Sequence, residues 1–184
     1  MAFSEFAQQV KARRQQVWGL ESFDSLLDNA GVGLYAAIAE TSEALFAELM
    51  NLHFKGPFFL TQQLLPLLAD GGRILNVSTG LARFALPGYA AYASMKAAMD
   101  VLPRYPAKEL GARGISVTSI APGAIATDLG GGHLRDNADL NRYVASHTAL
   151  GRTGFPDDFG DAIAARSAVR RLGQECRLSW SPSH

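Results

Sequence analysis

At 184 residues and 48% hydrophobic content, the chain is long enough to bury the core of one domain. Its 17 basic and 17 acidic side chains cancel, which removes any electrostatic case for nucleic acid or an anionic membrane surface as partner. One cysteine, Cys176, excludes an internal disulfide, and the histidines at 53, 133, 147 and 184 lack metal-ligand spacing, so no metal is expected.

No apolar signal core occupies the first 16 residues and no apolar run reaches bilayer length, so a soluble cytoplasmic protein is expected. Ser4 is placed to cap a first helix reaching about Val17, with Phe6, Val10 and Val17 inward and Gly19 ending it. Residues 23–27 read as the first strand. Thr41, with Glu43 in the first turn, opens a long helix to about Leu68. Gly56-Pro57 should kink it, since proline removes a donor and collides with the preceding turn. Asp70-Gly71-Gly72 turns the chain into a buried strand, 73–79, that delivers hydroxyls at its carboxyl end. A helix over 90–112 follows, ended by Gly114 ahead of a strand over 114–120. Pro103 and Pro106 fall inside that helix, where each interior proline costs about 3 kcal/mol relative to alanine. Residues 129–150, with Gly130-Gly131-Gly132, read as a mobile segment over the site. The alternation of strand and helix signals argues for an α/β fold, a parallel sheet covered on both faces.

Tyr92 and Lys96 stand one helical turn apart, with Thr79 thirteen positions upstream. A free tyrosine has a pKa of about 10 and is a poor acid or base near neutrality. A neighbouring ammonium favours the phenolate, and acid–base catalysis works best when the pKa approaches the working pH. A phenol to move a proton, a cation to ease its ionisation and a second hydroxyl for the substrate oxygen are what carbonyl reduction needs. Tyr89 lacks a lysine four residues later, and Ser78 should point to the opposite face of the strand from Thr79.

Four segments occur in order: Asp28-Asn29-Ala30-Gly31, Asn76-Val77-Ser78-Thr79, Tyr92-Ala93-Ser94-Met95-Lys96 and Pro122-Gly123-Ala124-Ile125-Ala126-Thr127. On these the chain resembles the short-chain dehydrogenase/reductase family over about residues 1–164. The resemblance implies a partial doubly wound, Rossmann-like parallel sheet with helices on both faces. It also implies an oxidoreductase using NAD or NADP to interconvert alcohol and ketone by hydride transfer. Tyr92 would be the proton donor and acceptor, Lys96 would also hold the nicotinamide ribose, and Thr79 would take the place of the family's serine. His53 stands where the family usually has asparagine, in a kink whose main-chain carbonyl holds a relay water. Histidine either preserves that role, joins the relay through its imidazole, or packs under the kink. Asn29, Ala30 and Gly31 resemble the adenosine-side wall, where glycine permits close approach. Asp28 replaces an asparagine and accepts hydrogen bonds without donating them. Pro122, Gly123, Ile125 (through its backbone) and Thr127 resemble the clamp on the nicotinamide carboxamide. A small-molecule alcohol or ketone partner is implied, as is a homo-oligomer paired through the helices over 41–68 and 90–112.

Two departures stand out. No glycine-rich phosphate loop follows a strand and opens a helix, so the chain is expected to begin after the family's first two strand–helix units. Residues 165–184 lack the family's strand and final glycines; an irregular tail is expected there, arising from a reading-frame change near Ala165. These departures and the helical prolines support an alternative reading, a degenerate and catalytically inactive fragment or binding remnant. A sugar-nucleotide epimerase-type relative, which shares the Tyr–Lys pair, is a third.

Overall fold

The computed structural model describes residues 3–168 and 178–179. The first helix, α1 (Phe3–Trp18), ends at Gly19, whose φ of +66° suits only glycine. Ser4 lies inside its first turn and does not cap it. The inward stripe is also rotated from the expected one. Ala7 is buried, Phe3 stacks on Phe59 at 5.8 Å, and the Arg14 guanidinium sits 5.4 Å from the Phe23 ring centre, whereas Phe6 and Val17 are exposed.

Strands β1 (Phe23–Asp28), β2 (Leu68–Val77), β3 (Ser116–Ala121) and β4 (Leu178–Ser179) form a parallel sheet in that order. The register steps from Phe23 opposite Leu68 to Ser25 opposite Arg73. The turn expected at Asp70-Gly71-Gly72 is therefore an excursion within β2, with Gly71 at φ +75°. Each face has its own core. Leu68, Ile74, Ile115 and Val117 pack with Phe23, Leu26, Leu65, Ala107 and Leu110 on one side. Leu75, Val77 and Ile120 pack with Phe159, Ala162 and Ile163 of α8 (Pro156–Ala168) on the other. Side-chain alternation along β2 produces this split. Each aliphatic side chain so buried is worth about 1.5–3 kcal/mol, which fixes the strand ends where the polar groups gather.

Ser42, the neighbour of the expected Thr41, caps α2 (Glu43–Met50), its hydroxyl accepting from the Leu45 amide at 3.2 Å. Thr41 instead donates to the Ala37 carbonyl at 2.9 Å. The long helix is interrupted by a wide π turn, Asn51–Lys55, before α3 (Gly56–Leu64). The Gly56 amide reaches back five residues to the Asn51 carbonyl, and a Cβ there would stand 2.9 Å from that oxygen. Pro57 has no N–H to return to the His53 carbonyl. Glycine and proline together thus place the irregularity one turn earlier than the kink expected at Gly56-Pro57, with His53 buried inside it.

The helix expected over 90–112 is two helices, α4 (Ala90–Val101) and α5 (Arg104–Glu109), followed by a tight turn, Gly111–Arg113, ending at Gly114. Pro103 caps α5 and Pro106 is its third residue, so neither owes an amide to an interior carbonyl. The interior penalty does not apply. Pro106→Ala should therefore change stability by less than about 1 kcal/mol in urea unfolding, against the gain of about 3 kcal/mol expected on removing an interior proline.

Residues 129–150, the segment expected to be mobile over the site, form a turn, Leu129–Gly132, then α6 (His133–Asp136) and α7 (Ala138–Ser146). The Asn137 side chain caps α7, accepting from the amides of Asp139 and Leu140 at 3.0 Å. The irregular tail expected over 165–184 falls mostly outside the described residues; the parts described are the end of α8 and Leu178–Ser179, paired with β3. Among the described residues no helix is long and apolar enough to cross a membrane.

Candidate active site

The buried stripe of α4 is Tyr92, Lys96 and Met99, at helical spacing, so the packing that docks the helix also aims the phenol and ammonium at the sheet. β2 ends beside them. The Thr79 hydroxyl accepts from the Leu81 amide at 3.3 Å and stands near the Tyr92 phenol. Burial pushes the Tyr92 pKa up, and the neighbouring Thr79 hydroxyl opposes this. Lys96 Nζ donates to the Val77 carbonyl at 2.8 Å, and burial lowers its pKa to about 8 against the pull of the Asp28 charge. The easing of Tyr92 ionisation expected from Lys96 is thus not the leading influence: burial and Thr79 are. Ser78 donates to the Lys96 carbonyl at 2.9 Å, tying the end of β2 to α4.

His53 is 1% exposed. Its Nε2 lies 2.8 Å from the Val32 carbonyl, which can only accept, so Nε2 carries the proton and Nδ1 is an acceptor. Nδ1 is buried without a hydrogen-bond partner among the described residues. Burial, reinforced by the Lys96 charge, lowers the His53 pKa and keeps the ring neutral. The imidazole meets Tyr92 edge-on at 5.1 Å. A Cβ on Gly31 would stand 2.9 Å from His53 Cε1, 3.4 Å from Nδ1 and 3.7 Å from Lys96 Nζ, so glycine lets the backbone approach imidazole and ammonium closely.

Asn29, Ala30 and Gly31 are exposed just beyond β1. Asp28 pairs in register with Asn76, accepts from the Thr61 hydroxyl at 3.2 Å, and is raised by burial to about 6. The exit from β3 joins that of β2 through Gly80, whose amide donates to the Pro122 carbonyl at 2.8 Å. After Gly123, Gly154 bonds the Ala124 carbonyl and the Ala126 amide, both at 2.9 Å, so the amide and carbonyl of Ile125 lie outside this pairing. The Thr127 hydroxyl accepts from the Leu129 amide at 3.2 Å.

Tyr92, Lys96, Thr79, His53 and Gly31 therefore form one constellation, with 122–127 at the adjacent strand exit. Sequence reasoning missed Val32, Val77 and Thr61. The first two act through carbonyls that any residue carries, and Thr61 reads only as a polar position on a helix.

A family model described as "Enoyl-(Acyl carrier protein) reductase" matches residues 4–165. Dehydrogenase OXI1 of Cochliobolus heterostrophus is 33% identical over 146 residues, 78% of this chain and 63% of that protein. The angucycline C-6 ketoreductase LanV, solved with bound NADP, matches with a TM-score of 0.86 at 27% identity, covering 95% of this chain and 67% of its own. LugOII, a promiscuous reductase catalysing keto-reduction at C1 in lugdunomycin biosynthesis, matches with a TM-score of 0.81 at 30% identity, covering 90% and 65%. The chain belongs to the short-chain dehydrogenase/reductase family. It spans 63% to 66% of the length of the first curated relatives it matches.

Proposed function

We propose that the chain carries the catalytic portion of an NAD(P)-dependent oxidoreductase that interconverts a ketone and an alcohol, over about residues 1–164. The observation that carries this reading is the Thr79–Tyr92 hydroxyl pair at the carboxyl end of β2, with Lys96 buried beside it. Crevices outside strand carboxyl ends are where parallel α/β sheets bind ligands.

Lys96 Nζ, close beside Gly31, would donate to a ribose hydroxyl. Ile125, through its backbone, and Thr127 would take the carboxamide, with Pro122 and Gly123 shaping the turn and Asn29 and Ala30 forming the outer wall. Bound NAD(P) supplies or accepts the hydride. The chain's own residues manage the proton. Tyr92 gives its phenolic proton to the ketone oxygen in reduction and recovers it in oxidation. Thr79 accepts from Leu81 through a lone pair, and its O–H, which faces the phenol, would turn to the same oxygen. The Lys96 ammonium stabilises the phenolate left behind, an effect strengthened by burial. His53, held neutral with Nδ1 left without a partner among the described residues, would extend the proton path by accepting there from a water or hydroxyl. Exposed Phe46, Phe58, Phe59, Val101 and Tyr105 on α2 to α5 support a homo-oligomer, and a single cysteine suits a reducing, cytoplasmic setting.

The reading is tested by titrating the purified protein into NADPH or NADH while following cofactor fluorescence, then adding ketones. Cofactor binding with ketone-dependent oxidation of NADPH or NADH supports it; cofactor binding without reduction of any ketone overturns it. His53→Asn is expected to preserve cofactor binding and abolish the acid limb of the pH–rate profile, where protonation of the depressed imidazole blocks Nδ1. An unchanged profile removes the side chain from the proton path.

A further inference from the structure

The loops leaving β1 and β2 meet beside Tyr92 and carry rings that the acid–base chemistry does not use. The Ala36 amide donates to the Gly88 carbonyl at 2.9 Å, joining them. Gly88 has φ +85°, and a Cβ there would lie 2.0 Å from Tyr35 Cε2, so the Tyr35 ring rests directly on the glycine. Tyr35 meets Tyr89 edge-to-face at 5.7 Å, and Tyr89 meets Tyr92 at 6.2 Å. The three tyrosines thus make a continuous row from solvent, where Tyr35 is 68% exposed, to the buried phenol, 6% exposed. Next to Thr79, the Phe84 ring covers Gly80, 3.1 Å from where its Cβ would be. Phe84, Leu86 and Ile38 are exposed as well. The sequence holds no charged residue over 29–39 and only Arg83 over 79–92.

Apolar surface gathered around a few convergent polar groups marks a ligand site, and here it borders the hydroxyl pair. Edge-to-face tyrosines complement a flat aromatic ring, and no cluster of cations is on hand for a phosphate or other polyanionic group. We infer that the wall formed by Tyr35, Tyr89 and Phe84 selects a substrate whose carbonyl is carried on a planar aromatic framework. This deepens the carbonyl-reducing reading and rests on it.

The test uses the full 184-residue protein. Binding of 2-naphthol and cyclohexanol is measured by ligand-observed NMR, and reduction of 2-tetralone and cyclohexanone is measured with NADPH. The aromatic alcohol should bind about tenfold tighter than the aliphatic one. Tyr35→Ala and Phe84→Ala should each weaken 2-naphthol several-fold, leave cyclohexanol unaffected and leave the circular dichroism spectrum unaltered. Equal affinity for the two alcohols, or unchanged 2-naphthol binding in both folded variants, overturns the aromatic assignment even if both ketones are reduced. Selective binding with the expected variant effects, but no reduction of either ketone, upholds the aromatic wall and overturns the oxidoreductase reading instead.

Discussion

Tyr92→Phe should lower ketone reduction by about 10²- to 10⁴-fold, the usual contribution of a positioned acid–base group, while cofactor fluorescence and the circular dichroism spectrum stay those of the parent. Phenylalanine keeps the ring that His53 and Tyr89 meet edge-on, so the packing around α4 survives. Only the phenolic hydroxyl beside Thr79 is lost, with a stability change below about 1 kcal/mol. The pH dependence follows from the raised Tyr92 pKa. Reduction needs the phenol and should persist well into alkaline solution; oxidation needs the phenolate and should climb with pH over the same range. Steady-state rates in both directions, with a thermal melt of each protein, check this. A variant within tenfold of the parent rate would remove Tyr92 from the reaction.

The Tyr92–Lys96 pair was legible because side-chain identity and helical spacing coincide: Tyr92, Lys96 and Met99 form the buried stripe of α4. Glycines at helix ends were equally readable, since Gly19 and Gly114 both require positive φ. Other features depended on choices between near-equivalent neighbours. Thr41 and Ser42 are adjacent hydroxyls, and only backbone direction decides which one caps α2. Pro103 and Pro106 look like interior breakers until the chain is seen to start a new helix there, which places both where no amide is needed. Main-chain groups leave no trace in residue type, so the Val32 and Val77 carbonyls that hold His53 and Lys96 could not be anticipated. Tyr35 gave no signal because its meaning lies in the contact with Gly88, fifty-three positions away.

Asp28→Asn is expected to stabilise the protein at neutral pH and to lose that advantage in acid. Burial raises the Asp28 carboxyl from the ordinary 3.8 to about 6, so the folded state prefers it protonated. Its favourable contribution is complete below about pH 4 and disappears as pH rises through about 6. Above that, holding the charge in place costs about 3 kcal/mol relative to the neutral group. Asparagine keeps an oxygen for the Thr61 hydroxyl and adds an amide on the strand paired with β2, where the buried Asn76 Oδ1 has no hydrogen-bond partner among the described residues. One opposing effect trims the gain. Asp28 is the charge that supports Lys96, whose pKa is already lowered to about 8, and removing it lowers that value further. The net gain at pH 7.5 should therefore be about 1–3 kcal/mol, shrinking to near zero at pH 4. Urea unfolding of both proteins at pH 4, 6 and 8 measures it directly. The parent should also grow more stable from about pH 8 to 10.5, because the depressed Lys96 releases its proton in the folded state before it does in the unfolded chain. A difference between parent and variant that stays constant from pH 4 to 8 would mean that the Asp28 carboxylate carries no desolvation penalty beneath the Tyr92–Lys96 pair.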